Sequence, residues 1–369
     1  MDKSKEELGY ETEAEKSLLV EADETVVPPI DVVAFTELRS AADLYRMYEA
    51  GDLEIHPEFQ REEVWTVAEQ TRFIDSLVKQ LPIPSLCFGL DYRRQQWQVI
   101  DGLQRIATII KFLDPDSAWR LSRLDDINRD IAGVEVGDLR KNDQGRKIVR
   151  VVENITLPIT VIRCDYSKSD HRQYLFQIFH RLNSGGKTLR NQEIRNCIYC
   201  GGLNDMLNAL NSDPVWLRVS GLKSATGKRF KGQELILRFF AFYDSYEEYS
   251  GKLATFLNNY MDKNQYPDED YISHKRELFH KTMSYIDKSI GSSAASTSQT
   301  LFEAVMVGVA RNIDMLQKDD SYTLGKIGLE KMKSSTEFQP QFLREGLGKR
   351  EKLIGRMDVA IRSMEHARG

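Results

Sequence analysis

The segment QQWQVIDGLQRIATIIKFL, Gln95 to Leu113, limits what the chain can fold into more than any other stretch. Trp97, Val99 and Ile100 form a short apolar run of strand type that stops at Asp101-Gly102. Ile106, Ile109, Ile110 and Leu113 then recur at the period of a helix. A plain turn needs only the glycine; the acid, the amide and the arginine around it need another reason. A strand that feeds a helix through Asp-Gly points backbone N–H groups outward at the positive end of the helix dipole, a geometry that favours phosphate and other anions. Gly102 lets a ligand approach the backbone, and Arg105 can offer a two-pronged fork to phosphate oxygens. Asp101 can take a magnesium ion or orient a water. The same residues also fit a bland turn, in which Asp101 caps the helix and Gln104 and Arg105 are solvated. At this level both readings stand open.

The flanking sequence places the junction in a small domain. Ser40-Ala41-Ala42-Asp43 opens a helix that ends at Gly51, with Leu44, Tyr45 and Tyr48 on one face. Thr66-Val67-Ala68-Glu69 has the spacing of a capping box. The helix it starts carries Phe73, Ile74, Leu77, Val78 and Leu81 and stops at Pro82. SLCFGLD and QQWQVID read as two strands joined by a polar turn around Arg93-Arg94. Residues 114–150 are charged, with few periodic apolar positions, and read as an irregular insertion. ITLPITVIRCD, from Ile155, returns to a strand, and Pro158 suggests an edge or a bulge. From Asp170 onward nearly every segment has helical period, interrupted by the GSSAASTSQ linker (Gly291 to Gln299). The expected architecture is α+β, a small mixed-sheet domain followed by an all-helical bundle. The expected boundaries are an arm at 1–29, the sheet domain at 30–168 and the helical domain at 169–369.

Charge and cysteine content narrow the class. Residues 1–28 hold nine Asp or Glu against three Lys, a net −6 in a chain of net −5, so the rest is +1. An acidic arm and a near-neutral body do not predict strong indiscriminate DNA binding, although a local basic patch is compatible with them. Four cysteines in 369 residues are too few for a disulfide framework. Cys197 and Cys200 have CxxC spacing but no second pair or nearby histidine, so they read as buried thiols rather than zinc ligands. No apolar run reaches the ~20 residues of a membrane span, and the N-terminus is acidic where a signal peptide is basic and then apolar. A soluble cytoplasmic protein is expected.

Two further polar clusters accompany the junction. PEFQREEVW sets Gln60 and Arg61 between Phe59 and Trp65, which read as core anchors. RLNSGGKTLRNQEIRN puts Asn183, Gly185 and Gly186 in a loop between helices, ahead of Glu193, Arg195 and Asn196. Such a loop is either a phosphate cradle or a helix turn with a glycine cap. Its GGKT is not a P-loop. That motif needs a glycine where Arg181 stands, and a strand rather than FQIFHRL before it.

PEFQREEVW, LPIPSL, VIDGLQR and RLNSGGKTLRNQEIRN, in this order, resemble the N-terminal domain family of GmrSD-type restriction endonucleases. Part of the helical sequence (ELILRFFAFYDSYEEYSGKLATFLNNYM and LFEAVMVG) is similar too, so the likeness spans roughly residues 35–310. The resemblance implies membership of the ParB/sulfiredoxin-like superfamily, whose members bind nucleoside triphosphates at this strand–turn–helix. It further implies a nucleotide site made by Asp101, Gly102, Gln104 and Arg105, with Arg105 on the phosphates and Asp101 as a magnesium ligand. Gln60 and Arg61 match the family's FQR motif. Asn183, Gly185, Gly186, Glu193, Arg195 and Asn196 match a second block that, by analogy with ParB proteins, reaches the triphosphate or its metal.

The implied activity is nucleotide hydrolysis in phage defence or modification-dependent restriction, with Asp101 and Arg105 catalytic. The implied partners are DNA, a nuclease or ATPase subunit, and a second copy of the chain. Two departures qualify it. DGLQR has Leu103 where the family's usual DGQQR has glutamine, which fits a site that binds but turns over slowly. Arg190 beside Leu189 replaces the Ser or Thr often found near that helix start, which leaves the helix cap open. The rivals are a metal-dependent nuclease using Asp101 in the same fold, and a non-hydrolysing nucleotide- or DNA-binding adaptor. Common separate nuclease motifs are missing: His274 and His280 are ~240° apart around a helix, and no Lys follows an acid by two positions.

Overall fold

Alternating apolar residues build the central strands, and the periodic helices cover them. In a computed structural model the described residues are 27–55, 65–182, 190–222, 230–292, 298–344 and 346–368. They fall into two compact units, Val26–Leu189 and Arg190–Gly369. Neither contains a helix long and apolar enough to cross a membrane. All four cysteines are thiols, with Cys87, Cys164 and Cys197 buried.

In the first unit, five strands form one mixed sheet. They are β1 (Val33–Ser40), β2 (Leu53–Glu54), β3 (Leu86–Asp91), β4 (Gln96–Asp101) and β5 (Thr156–Cys164), in spatial order β1-β5-β3-β4-β2. β1 with β5 and β3 with β4 are antiparallel, whereas β5 with β3 and β4 with β2 are parallel. Leu86, Phe88 and Leu90 of β3, Val99 of β4, and Leu157, Ile159 and Val161 of β5 share one core. That core is closed by helices α1 (Ala41–Glu49), α2 (Val67–Val78), α3 (Leu103–Leu113), α4 (Val136–Leu139) and α5 (Asp143–Asn154). Each fully buried Leu, Ile, Val or Phe contributes about 1.5–3 kcal/mol, so the side chains of α2 and α3 alone outweigh any single polar contact described below. The Thr66 side chain accepts from the Glu69 N–H and Glu69 reaches back, which completes the expected capping box.

Four expectations need correction. Residues 114–150 are not a loose insertion. Trp119, Leu121, Ile127, Ile131, Ile148 and Val149 are buried in the same core, and α5 spans the end of the segment. Pro158 lies in an interior strand, not at an edge. Its carbonyl accepts from Ser85 Oγ on the β3 side, and pairing with β3 begins only at Leu86–Ile159, so its missing N–H breaks no rung there. The change of unit falls at 189/190 rather than at 168/169, because α6 (Ser169–Leu182) belongs with the sheet. His171 of α6 is fully buried, accepts from the Asp165 N–H through Nδ1 and meets Asp31 through Nε2 (2.9 Å), while Arg172 bonds the Tyr166 carbonyl. Leu81, expected on the α2 face, lies beyond the helix and is half exposed.

The second unit is helical throughout its described residues. Its longer members are α7 (Asn191–Ile198), α8 (Gly202–Asn211), α9 (Pro214–Ser220), α10 (Lys231–Ser245), α11 (Leu253–Lys263), α12 (Glu269–Ser289) and α13 (Gln299–Arg311). The short α14 (Ile313–Leu316) leads to α15 (Thr323–Ser334), α16 (Pro340–Leu343) and α17 (Arg350–Glu365). Phe239, Phe240 and Phe242 of α10 are core residues, as their spacing predicts.

Candidate functional site

β4 ends at Asp101, and Gly102 turns the chain into α3 with φ at +93°, in the left-handed region. Most residues pay for that conformation, and glycine does not. A Cβ at Gly102 would also come within 2.2 Å of Leu86 Cδ2 and 3.1 Å of Arg105 Nη2. Gly102 itself is the helix cap, and among the described residues no side-chain cap bonds the start of α3. Asp101 therefore does not cap this helix. The neighbouring helices differ: Ser40, Thr66 and Asn142 side chains cap α1, α2 and α5.

The Asp101 carboxylate instead faces Arg105, one helical turn on, with Arg105 Nη2 donating to Oδ2 at 2.8 Å. Among the described residues this is the only recorded partner of that carboxylate, which is 38% exposed. Arg105 is more enclosed. Its Nη1 donates to the Pro84 carbonyl at 2.5 Å and lies 3.4 Å from that of Ser85. A half-exposed ion pair contributes at most about 1 kcal/mol, and the carbonyls of Pro84 and Ser85, both exposed residues, add hydrogen bonds of about that size. Arg105 thus ties the LPIPSL loop to the junction through the carbonyls and Asp101 together. Burial pulls its pKa below the usual arginine range, and Asp101 opposes that shift. Burial, with the charge of Asp101 adding to it, pushes the nearby Cys87 thiol up to about 12, so this thiol is inert at neutral pH.

Gln104 does not float in solvent. Its Oε1 accepts from the Trp65 N–H at 3.3 Å, and Trp65 packs edge-on against Phe73 at 5.5 Å. The sequence assigned no role to Pro84, Ser85 or the Trp65 backbone. The Ile83-Pro84 step, which holds the chain extended, is the one local signal for the carbonyls that meet Arg105.

Glu193, Arg195 and Asn196 sit on α7 in the helical unit. The Glu193 carboxylate accepts from the Arg190 N–H, one half of a capping box, since the arginine side chain has no acceptor to return the bond. Arg195, 1% exposed, bonds Asn258 Oδ1 through Nε (2.8 Å) and reaches Gln192 and Glu234. Burial draws its pKa down to about 10, against the pull of Glu234. Asn196 links Gln192 and Gln233. These side chains belong to a buried polar network that continues through Glu234 and Arg238 to Glu303. Gln60, Arg61, Asn183, Gly185 and Gly186 lie outside the described residues.

The junction thus offers an uncapped helix start, a half-exposed carboxylate and a guanidinium beside it. A magnesium ion needs one or two carboxylates plus phosphate oxygens, and Asp101 meets the protein's part of that set. Residues 42–200 match the family model described as the GmrSD restriction endonuclease, N-terminal domain. The matched segment contains the whole junction. No curated protein matches the chain.

Proposed function

We propose that this GmrSD-type domain binds a nucleoside triphosphate at the Asp101–Gly102–α3 junction and hydrolyses it as part of a restriction or phage-defence system. The supporting observation is the start of α3, left without a side-chain cap directly beside Asp101 and Arg105. The N–H groups of Leu103 and Gln104 would take phosphate oxygens. Gly102 leaves room for that approach, and Arg105 would share its fork between Asp101 and the phosphates. Magnesium, held by Asp101 with phosphate oxygens, would supply charge neutralisation. Gln60, Arg61, Asn183, Gly185 and Gly186 remain proposed contributors through the family resemblance, whereas Glu193, Arg195 and Asn196, buried in the network of the helical unit, are not assigned to the site; DNA and a partner subunit are the proposed recipients of the signal. A second reading, binding without turnover, is favoured by Leu103 and by the ties of Arg105 to Pro84 and Ser85.

The test is phosphate release from ATP, GTP, CTP and UTP with Mg²⁺, run on wild type, Asp101→Asn and Arg105→Gln. Hydrolysis predicts release by wild type and at least a roughly tenfold loss in each variant. Thermal stabilisation by nucleotide without release, lost in Arg105→Gln, selects the binding-only reading. If no nucleotide is hydrolysed or raises the melting temperature, the site is a structural turn.

A further inference from the structure

The β3–β4 turn carries two arginines, and the adjacent β5 a third, that the nucleotide site does not use. Tyr92, Arg93, Arg94 and Gln95 form the turn, and the Tyr92 N–H donates to the Cys164 carbonyl at the end of β5. Arg93 is anchored through Nε to Asp165, and Arg94 Nε lies 3.8 Å from Asp91. Both carboxylates are buried, at 1% and 4% exposure, while the two arginine side chains are 62% and 64% exposed. These two acids hold the guanidinium groups while exposing almost none of their own surface. Anchorage through Nε turns the terminal Nη edge of Arg93 outward, the edge that grips phosphate as a fork.

Arg163 of β5 is exposed and adds a third guanidinium, stacked 4.5 Å from the centre of the Tyr92 ring, with that of Arg93 at 5.9 Å. Among the described residues no carboxylate pairs with Arg163. Lys168 stands nearby but is taken by Asp31, and it is left out of the count. With guanidinium groups against its ring, Tyr92 acts as a spacer between cations and is poorly placed to stack on a nucleic-acid base.

We propose that this turn, with Arg163, is a contact surface for the phosphate backbone of duplex DNA. The choice of DNA rests on the restriction reading; the phosphate chemistry rests on the three guanidinium groups alone. Arg93 and Arg94 lie on the turn and Arg163 beside it on β5, all three exposed at the surface, which suits a run of phosphates better than one small enclosed anion. Nothing at the turn reads a base edge, so the contact positions the protein and does not specify sequence. Because the chain beyond residue 28 is only +1, a few local cations must carry the electrostatic affinity.

The experiment follows binding of a short fluorescent duplex by anisotropy between about 50 and 200 mM salt. The full chain is compared with the Arg94→Gln/Arg163→Gln double variant, which leaves Arg93 on Asp165. The slope of log affinity against log salt should flatten by about 2, close to 0.9 per lost phosphate contact, with about tenfold or greater weakening at low salt. An Arg120→Gln/Lys141→Gln control removes two cations elsewhere on the same unit and should leave the slope unchanged. Absence of wild-type binding, an unaltered slope in the first variant, or equal flattening in the control would each overturn the proposal. Nucleotide-dependent thermal stabilisation, read on the same proteins, reports separately on the Asp101–Arg105 site and should be unchanged by either variant.

Discussion

Single residues at the two ends of β4 do opposite things with an acid. Asp101 stays half exposed against Arg105, whereas Asp165, which holds the β3–β4 turn at the far end, is buried. Burial alone would raise the Asp165 pKa, but hydrogen bonds from Ser167 and Arg93 hold it well below the ordinary carboxylate value. A depressed folded-state pKa means that the group stabilises the fold above its unfolded value and loses that contribution as pH falls toward the folded one. Asp165→Asn should therefore destabilise the protein at neutral pH, and urea midpoints of variant and wild type should converge as pH drops below about 4. A constant gap down to pH 2 would show that charge is not what Asp165 contributes. Gly102→Ala should cost about 1–2 kcal/mol from left-handed backbone strain, with the Leu86 encounter adding to it. The motif made Asp101, Gly102 and Arg105 legible as a unit, but it gave no hint that Arg105 spends Nη1 on Pro84 and Ser85, which lie some twenty positions earlier.

Elements were legible where they repeat themselves. α2 announced its start through Thr66 and Glu69 and its core face through Phe73, Ile74 and Leu77. Thr66→Ala should lower stability by about 1 kcal/mol in chemical denaturation, because it removes the acceptor for the Glu69 N–H. The stretch from 114 to 150 had no such repetition. Trp119, Leu121, Ile127 and Ile131 reach the core from irregular backbone, fastened by the isolated Arg120–Glu135 bridge, and α5 buries only Ile148, Val149, Val152 and Gly145. No period of 2 or 3.6 registers in the irregular part, and the helical spacing of Gly145, Ile148, Val149 and Val152 appears only at its end. β1 went unread because it is an edge strand whose Val33, Phe35 and Leu38 are all exposed, so burial imposed no alternation on it. Pro158 argued for an edge because a missing N–H is harmless there, but the same holds one residue before a neighbouring strand begins.

At the scale of the molecule the helical unit encloses charge as well as hydrocarbon. Arg238, 4% exposed, donates to Glu303 at 2.7 Å and to Glu234 at 2.5 Å, and these two carboxylates hold its pKa above the usual arginine range against the effect of burial. Arg238→Ala would leave two buried acids with a lost partner, at a cost of about 3–5 kcal/mol. Because the two units have separate sets of internal contacts, hydrogen exchange should accelerate across α10 and α13 while β3–β5 keep wild-type protection. Loss of protection in both together would mean that the chain opens as one cooperative body. The sequence by itself determined the strand-to-helix junction, the capping box of Thr66 and Glu69 and the predominance of helix after residue 170, because dihedral preference, capping and periodicity are local. Tertiary structure alone decided that α6 joins the sheet, that the 114–150 stretch is core, and that Arg195 is sequestered with Asn258 and Glu234. Those outcomes depend on which distant groups surround a buried imidazole, indole or guanidinium, and partners separated by dozens of residues leave no mark in a local window.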